Sequence, residues 1–187
     1  MSELELITDR TAQDAALVDE LKKTPWPLMT EAQRQLWIEN LKGAYNAETR
    51  NRVEAAVKTV SETLSRLPYD LKAVAAQLGV AWDRAFDVPY IEISCETKTD
   101  WTDADEVPVE QMRRYLANVT AIKNALPISS PPLPRTMDNL TWQGANAIEA
   151  AILEASKAAT KRQDETTQTI KNTAKGWVFS GEIFGGE

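Results

Sequence analysis

NAETRNRVEAAVKTVSETLSRL, residues Asn46 to Leu67, is the stretch that decides the fold. Its apolar residues recur at alternating spacings of four and three: Val53, Val57, Val60, Leu64 and Leu67. This spacing places them in one stripe along a helix, at the period that suits packing against a partner helix. We therefore predict a central core helix here, with a subunit-contact helix as the alternative.

The ends of this helix are predicted from local chemistry. Asn46 can accept a hydrogen bond from a free amide of the first turn, so it is expected to cap the start. Pro68 lacks an amide hydrogen and clashes with the preceding turn, so we expect the helix to stop there. Asp70 then begins a short second helix, and Gly79 is positioned to end it.

The composition excludes several classes of protein. With 187 residues, 43% of them hydrophobic and 26% charged, the chain can bury a sizeable core and is typical of a folded soluble protein. The net charge of −7 opposes binding to a nucleic-acid backbone. No apolar run has the length of a bilayer span, and the N-terminus lacks the features of a signal peptide. We expect no nucleic acid, no membrane and synthesis in the cytoplasm.

The residues that usually carry catalysis are scarce. Histidine is absent, which removes the commonest general base and the commonest zinc ligand. The single cysteine, Cys95, cannot form an internal disulfide, and its register with Ile91 and Ile93 indicates a buried apolar residue rather than a nucleophile. The sequence therefore predicts a protein that is not an enzyme, with no catalytic residues and no cofactor.

One acidic cluster raises the question of a metal site: Asp100, Asp103, Asp105 and Glu106. A calcium loop of the helix–loop–helix type needs ligands at alternate positions and a glycine for its sharp turn, and the glycine is missing here. These acids also precede a helix that begins near Pro108, where negative charge is favourable. We predict a solvated loop and no bound metal.

The starts of other helices are predicted from residues that can cap their first turns. Thr11 with Asp14, and Thr30 with Gln33, resemble capping boxes, and Thr141 can cap a last long helix. Residues Tyr90 to Glu96 alternate apolar and polar side chains, which is typical of a half-buried strand. Its candidate partners are the leader Leu4 to Ile7 and the tail Val178 to Phe184. The predicted fold is all-α, a bundle of about five or six helices with a minor β-strand pair.

Residues 158–187 divide into a polar helix and an apolar tail. Ala158 to Lys175 offers little apolar face, so it either frays or projects to pack on another subunit, and Gly176 is expected to end it. The interface candidates follow in an extended tail: Trp177, Phe179, Ile183 and Phe184. That tail docks either within its own chain, beside Tyr90 to Glu96, or on a neighbouring subunit.

We predict three segments along the chain. Residues 1–126 form a helical domain with one short strand, residues 127–140 form a Pro-rich link, and residues 141–187 hold the long helix and the extended apolar tail. The link is too short to make the two flanking parts independent.

Several stretches together resemble a family of small tail-region proteins encoded by prophages of Gram-positive bacteria. The C-terminal end, Trp177 to Glu187, is the most distinctive of them. The chain departs from the family pattern at Glu48–Arg50, and its segments 71–86 and 158–175 look longer than usual. The other matching stretches are Ile7–Thr11, Met29–Thr30 with Trp37, Leu41–Asn46 with Asn51–Val53, Lys98–Thr102, Tyr115–Val119, Met137 with Leu140–Thr141, and Ala145–Glu149.

This resemblance implies a structural component of a phage tail or tail-like particle, at the baseplate or tail-fibre attachment, located in the virion. Its partners would be other tail, baseplate or fibre proteins and further copies of itself, with trimers suggested by analogy to tail fibres. The resemblance implies no catalytic, cofactor-binding or metal-binding residues. A tail-fibre assembly chaperone is the alternative, and a cell-wall glycan-binding module is a third class.

Overall fold

The fold is all-α, as predicted. A computed structural model describes residues 4–39, 41–82, 86 and 91–181, with the backbone alone for residues 41 and 177–181. Short 3-10 turns at Trp26–Leu28 and Leu41–Gly43 flank the second helix. The described residues contain no β-strand, so the expected strand pair is wrong for the parts of it that they include. The described residues form five α-helices: α1 (Ala12–Leu21), α2 (Glu31–Glu39), α3 (Ala47–Gln77), α4 (Val109–Ala125) and α5 (Trp142–Gly181).

The helix starts follow the capping chemistry read from the sequence. The Thr11 hydroxyl accepts a hydrogen bond from the Asp14 amide at 3.2 Å, and the Asp14 carboxylate accepts one from the Thr11 amide at 2.7 Å, which completes a capping box at α1. Asn46 accepts from the Thr49 amide at 2.9 Å at the start of α3. Thr30 and Thr141 cap α2 and α5 in the same way. These local predictions are confirmed.

Pro68 does not end α3, which continues without a break to Gln77. The stripe of apolar residues runs on past the proline, and Leu67, Leu71 and Ala75 are all fully buried. Burial of these side chains contributes about 1.5–3 kcal/mol for each large one, which offsets the roughly 3 kcal/mol that an internal proline costs. The separate helix predicted from Asp70 is therefore the C-terminal part of α3. The helix ends at Gln77, two residues before Gly79, whose φ of 67° lies in the left-handed region that suits glycine.

The helices α3 and α5 run parallel to each other. Arg52, near the start of α3, lies 3.5 Å from Glu149, near the start of α5. Further along, Leu71 of α3 and Ile170 of α5 belong to the same buried cluster. The main core lies between these points and also includes α4, with these buried members: Val53, Ala56, Val57, Val60, Leu64, Tyr115, Val119, Ile122, Leu126, Ile148, Ala151, Ile152, Ala155 and Ala159.

Parallel helices need connections that run back along the bundle, and extended segments provide them here. The first, residues 91–103, descends along α3. The Ser65 hydroxyl donates to the Ile93 carbonyl at 3.4 Å, and Glu54 accepts from the Lys98 amide at 3.2 Å. The second, residues 127–140, descends along α4, where Lys123 donates to the Pro131 carbonyl at 2.8 Å. Both return segments pack side chains against the main core.

The first return segment explains why a strand was predicted. Ile91, Ile93 and Cys95 do alternate onto the core, as the pattern requires. Their backbone partners, however, are helix side chains: the Asn118 amide donates to the Glu96 carbonyl at 2.7 Å. Alternation reports an extended backbone with one buried face, and it does not reveal whether a second strand supplies the hydrogen bonds. Tyr90 lies outside the described residues.

The polar continuation of α5 neither frays nor projects from its own chain. Gly176 does not end the helix, which runs to Gly181. Within the polar stretch, Thr166 and Ile170 are buried, and Ala174 packs against the same cluster as Val74 of α3. One apolar residue every turn or two is enough here because α5 needs only a narrow stripe to pack on a single partner helix. The domain division at the Pro-rich link stays a prediction.

Replacing Pro68 with alanine is expected to stabilise the protein by about 1–2 kcal/mol. The substitution restores the missing amide hydrogen and removes a ring clash, against the smaller entropy that proline removes from the unfolded chain. Urea unfolding measures the change. Arg66→Ala, an exposed change two residues earlier, is the matched control and should shift stability by no more than about 0.5 kcal/mol. A P68A variant less stable than the parent would contradict this account of α3.

Candidate interaction surfaces

The interface residues predicted from sequence fall at the edge of what the structure describes. Trp177 and Phe179 lie on the α5 backbone, which is helical rather than extended, and their side chains are not described. Ile183 and Phe184 lie outside the described residues. Their role in an interface stays a prediction. Exposed apolar side chains are also present in the described part of the chain.

One surface of this kind, which we call the corner, lies where α1 connects to α2. Pro25 precedes a tight 3-10 turn that contains Pro27, and the buried side chain of Met29 follows it and anchors it. The Thr30–Gln33 capping box then starts α2 at a fixed angle, since Gln33 Oε1 accepts from the Thr30 amide at 2.9 Å. This geometry leaves α2 with no fully buried residue.

The corner exposes large apolar side chains. Leu28 is 73% exposed, Ile38 56% and Trp26 48%, and Leu36 is also exposed. The Arg34 guanidinium lies 5.7 Å from the centre of the Trp26 ring, a cation–π distance that holds the indole in place. Tryptophan and arginine are two of the residue types most enriched in protein-binding hot spots.

The base of the bundle contains a buried ion network that sequence reasoning missed. The Glu149 carboxylate on α5 is fully buried and accepts from the Arg10 guanidinium at 2.5 Å and from the Ile7 amide at 2.6 Å. Arg10 donates in addition to the backbone carbonyls of Lys42 and Ile7. A second buried carboxylate, Glu54, pairs with Arg114 at 2.6 Å. Each buried carboxylate is paired with an arginine. Glu149 thereby joins α5 to the segment before α1, and Glu54 joins α3 to α4.

A pair of tyrosines completes this base. Tyr45 and Tyr115 share a hydrogen bond between their hydroxyls, with the rings edge-to-face at 6.4 Å. Burial raises the pKa of both hydroxyls well above the ordinary value for tyrosine. Both phenols are therefore neutral at physiological pH. Their hydrogen bond joins the segment just before α3 to α4.

The structure shows what surrounds Cys95 and the acidic cluster discussed above. Cys95 is half-buried against the core at the edge of a shallow cleft along α3, and burial raises the pKa of its thiol, which lowers its reactivity. In the acidic cluster, Asp105 accepts from the Thr102 amide at 2.8 Å, and Asp100 pairs with Lys98 at 2.6 Å. Within the described residues, no three side chains of metal-ligand type come together.

Comparison with known proteins adds no relative. No family model matches the chain, and neither a curated protein nor a solved structure matches it. Among the helices described, none is both long and apolar enough to cross a membrane.

Proposed function

We propose that this chain is a non-enzymatic structural component of a bacteriophage tail or tail-like particle. It would sit at the baseplate or tail-fibre attachment and act through protein–protein contacts. The resemblance over most of the chain to small prophage tail-region proteins motivates the proposal. The observation that carries it is the corner, where Trp26 and Leu28 are exposed in the 3-10 turn and Leu36 and Ile38 are exposed on the helix α2 that follows it.

The corner supports binding to another protein for energetic reasons. Covering an exposed side chain such as Leu28 stabilises a complex by about 25 cal/mol for each Å² of apolar surface removed from water. The Met29 anchor and the capping box fix the corner before binding, so little entropy is lost on association. The partner surface would be apolar opposite Trp26, Leu28 and Ile38, with charges opposite in sign facing Arg34 and Glu31.

Mass spectrometry of purified particles tests the proposal. We expect the chain to be present at a fixed ratio to baseplate or fibre proteins. Its absence from finished particles would contradict the proposal. If the chain were instead found in a soluble complex with a fibre protein, the assembly-chaperone alternative would replace it.

A corner variant tests the surface itself. Leu28→Asp with Ile38→Asp should reduce incorporation into particles by at least about tenfold, since two charges would be buried without partners. The fold should be unaffected, because exposed substitutions change stability by only about 0.5 kcal/mol. Val109→Asp is the matched control: Val109 is as exposed as Ile38 but lies on α4, away from the corner. Equal incorporation of both variants would exclude the corner as the contact.

A further inference from the structure

The Pro-rich link, residues 127–140, contains a regular extended part. Proline fixes its own φ near −65°, and a residue that precedes proline is held in the extended region. Residues 130–134 read SPPLP, so these restrictions place them in the polyproline II conformation, and their backbone forms neither α-helix nor strand. Polyproline II has three residues per turn and therefore three edges, and the burial of the link follows these edges.

One edge of the extended part faces the protein. Ser130 and Leu133, three residues apart, share this inner edge: the Ser130 hydroxyl oxygen is buried, and Leu133 packs against the main core. Pro131 and Pro132 begin the other two edges, and both are exposed. Two neighbouring proline rings are thus presented to solvent.

The link is held in place on both sides of these prolines. Lys123 donates to the Pro131 carbonyl at 2.8 Å. At Gly144 of α5, an added Cβ would lie 3.5 Å from the Cβ of Pro134, so α5 passes close beneath the link. An extended segment that is ordered before binding loses little entropy on association, which is why proline-rich segments are common ligands of aromatic grooves.

Two exposed charges follow the prolines. Arg135 and Asp138 are the charged residues of 127–140, and both line the same cleft beside α4. Neither forms an ion pair with another described residue. The link therefore presents a pair of proline rings followed by one positive and one negative charge.

The corner offers the complement of this pattern. Its exposed indole, Trp26, is the kind of aromatic ring on which proline packs. The Glu31 carboxylate lies 3.8 Å from the Arg34 guanidinium, whose centre is 5.7 Å from the centre of the indole, so carboxylate and indole are within roughly 11 Å of each other. Pro132 and Arg135 are roughly 9 Å apart at 3.1 Å per residue, and the arginine side chain is long enough to cover the difference.

These contacts are not made within one chain. Trp26 is 48% exposed and Leu28 is 73% exposed in the folded chain, and Pro131 and Pro132 are exposed as well. The corner and the link therefore leave each other uncovered. A second copy can supply to each of them the surface that it lacks.

We propose that the corner of one copy binds the Pro-rich link of a second copy. Pro131 and Pro132 pack against Trp26, and Arg135 pairs with Glu31. The two surfaces differ, so the contact is head-to-tail, and a bound pair still has one free corner and one free link. The proposal rests on the proposed function, because the corner is the surface that this function uses, and it names a second copy as the partner there.

Complementation between two variants provides the test. The corner variant is Leu28→Asp with Ile38→Asp, and the link variant is Pro132→Glu with Arg135→Glu. We expect concentration-dependent association of the parent by sedimentation velocity, and association at least about 10-fold weaker for each variant alone. An equimolar mixture contains one intact corner and one intact link for each pair of copies. It should form a one-to-one complex that grows no further, identified by native mass spectrometry.

Pro127→Glu with Lys58→Glu is the matched control. It adds the same negative charge as the link variant and changes exposed residues at the start of the link and on α3, so it should associate like the parent. Circular dichroism should show that every variant stays folded, because all the substituted side chains are exposed.

Four results would each overturn the proposal: a monomeric parent, association of either folded variant at the strength of the parent, a mixture that stays monomeric, or a control as weak as the link variant. All of them are measured on the purified protein. They are therefore separate from particle content, which tests the function proposed above.

Discussion

Replacing Glu149 with alanine is expected to lower the free energy of unfolding by about 3–5 kcal/mol, which is the typical cost of removing one partner of a buried ion pair. The Arg10 side chain is 1% exposed, and without the carboxylate its charge stays buried without an opposite charge at hydrogen-bond distance. The Ile7 amide loses its acceptor as well. Urea unfolding followed by circular dichroism measures the loss.

Two controls show whether burial is the cause. Glu154→Ala removes a carboxylate from the same helix, where it pairs with Lys157 at 2.9 Å in solvent, and should cost no more than about 1 kcal/mol. Arg10→Met with Glu149→Met removes both charges and should cost less than E149A alone. If E149A and E154A were equally mild, Glu149 would not be the buried anchor of the bundle base.

Ile170→Ala is expected to cost about 2–5 kcal/mol, the range for a large aliphatic side chain removed from a core. Ile170 is fully buried and is the α5 residue that enters the cluster formed with Leu67 and Leu71. The residues around Ile170 in sequence are mostly polar. The cavity therefore removes the principal apolar contact between the C-terminal parts of α3 and α5. Hydrogen exchange should show the loss of protection concentrated in the C-terminal parts of α3 and α5, with the main core less affected.

Asp164→Ala is the matched control for Ile170→Ala. Asp164 lies in the same polar stretch of α5 but is exposed, so its replacement should change stability by no more than about 0.5 kcal/mol. Equal effects of I170A and D164A would mean that this stretch of α5 does not pack on α3.

The helix starts were predictable because their causes are local. A capping box is complete within four residues, so Thr11 with Asp14 and Thr30 with Gln33 specify their hydrogen bonds without knowledge of the fold. The core stripe of α3 was predictable for a similar reason, since its period is a property of the helix itself.

The errors come from local rules that tertiary packing overrides. Pro68 looked like a stop, yet the four–three spacing continues through Leu71, Val74 and Leu78, and that continuation was the available signal. Gly176 was expected to end α5, but a single glycine costs only about 1 kcal/mol within a helix. The prediction of a strand at Tyr90 to Glu96 is wrong over the described residues 91–96, and the actual backbone partners, such as Asn118, are distant in sequence and gave no local signal.

The surfaces were less accessible from the sequence than the core. The residue types of the corner give no signal of exposure, because leucine and tryptophan are usually buried, yet Leu28 and Trp26 are exposed. The buried glutamates gave a weak signal. Glu149 follows Ile148 directly and lies among alanines, so it occupies the apolar part of α5 without any nearby cation in sequence. Its partner, Arg10, is 139 residues away.

The segment before α1 is held by one side chain that binds the backbone of Arg10 at two points. Asn146 accepts from the Arg10 amide at 3.1 Å and donates to the Arg10 carbonyl at 2.9 Å. These partners are 136 residues apart, so the ribosome makes this segment well before its binding site on α5. At bacterial rates of about 5–20 residues per second, the segment waits on the order of ten seconds for α5 to appear. A segment synthesised before all five described helices is thus among the last to find its place.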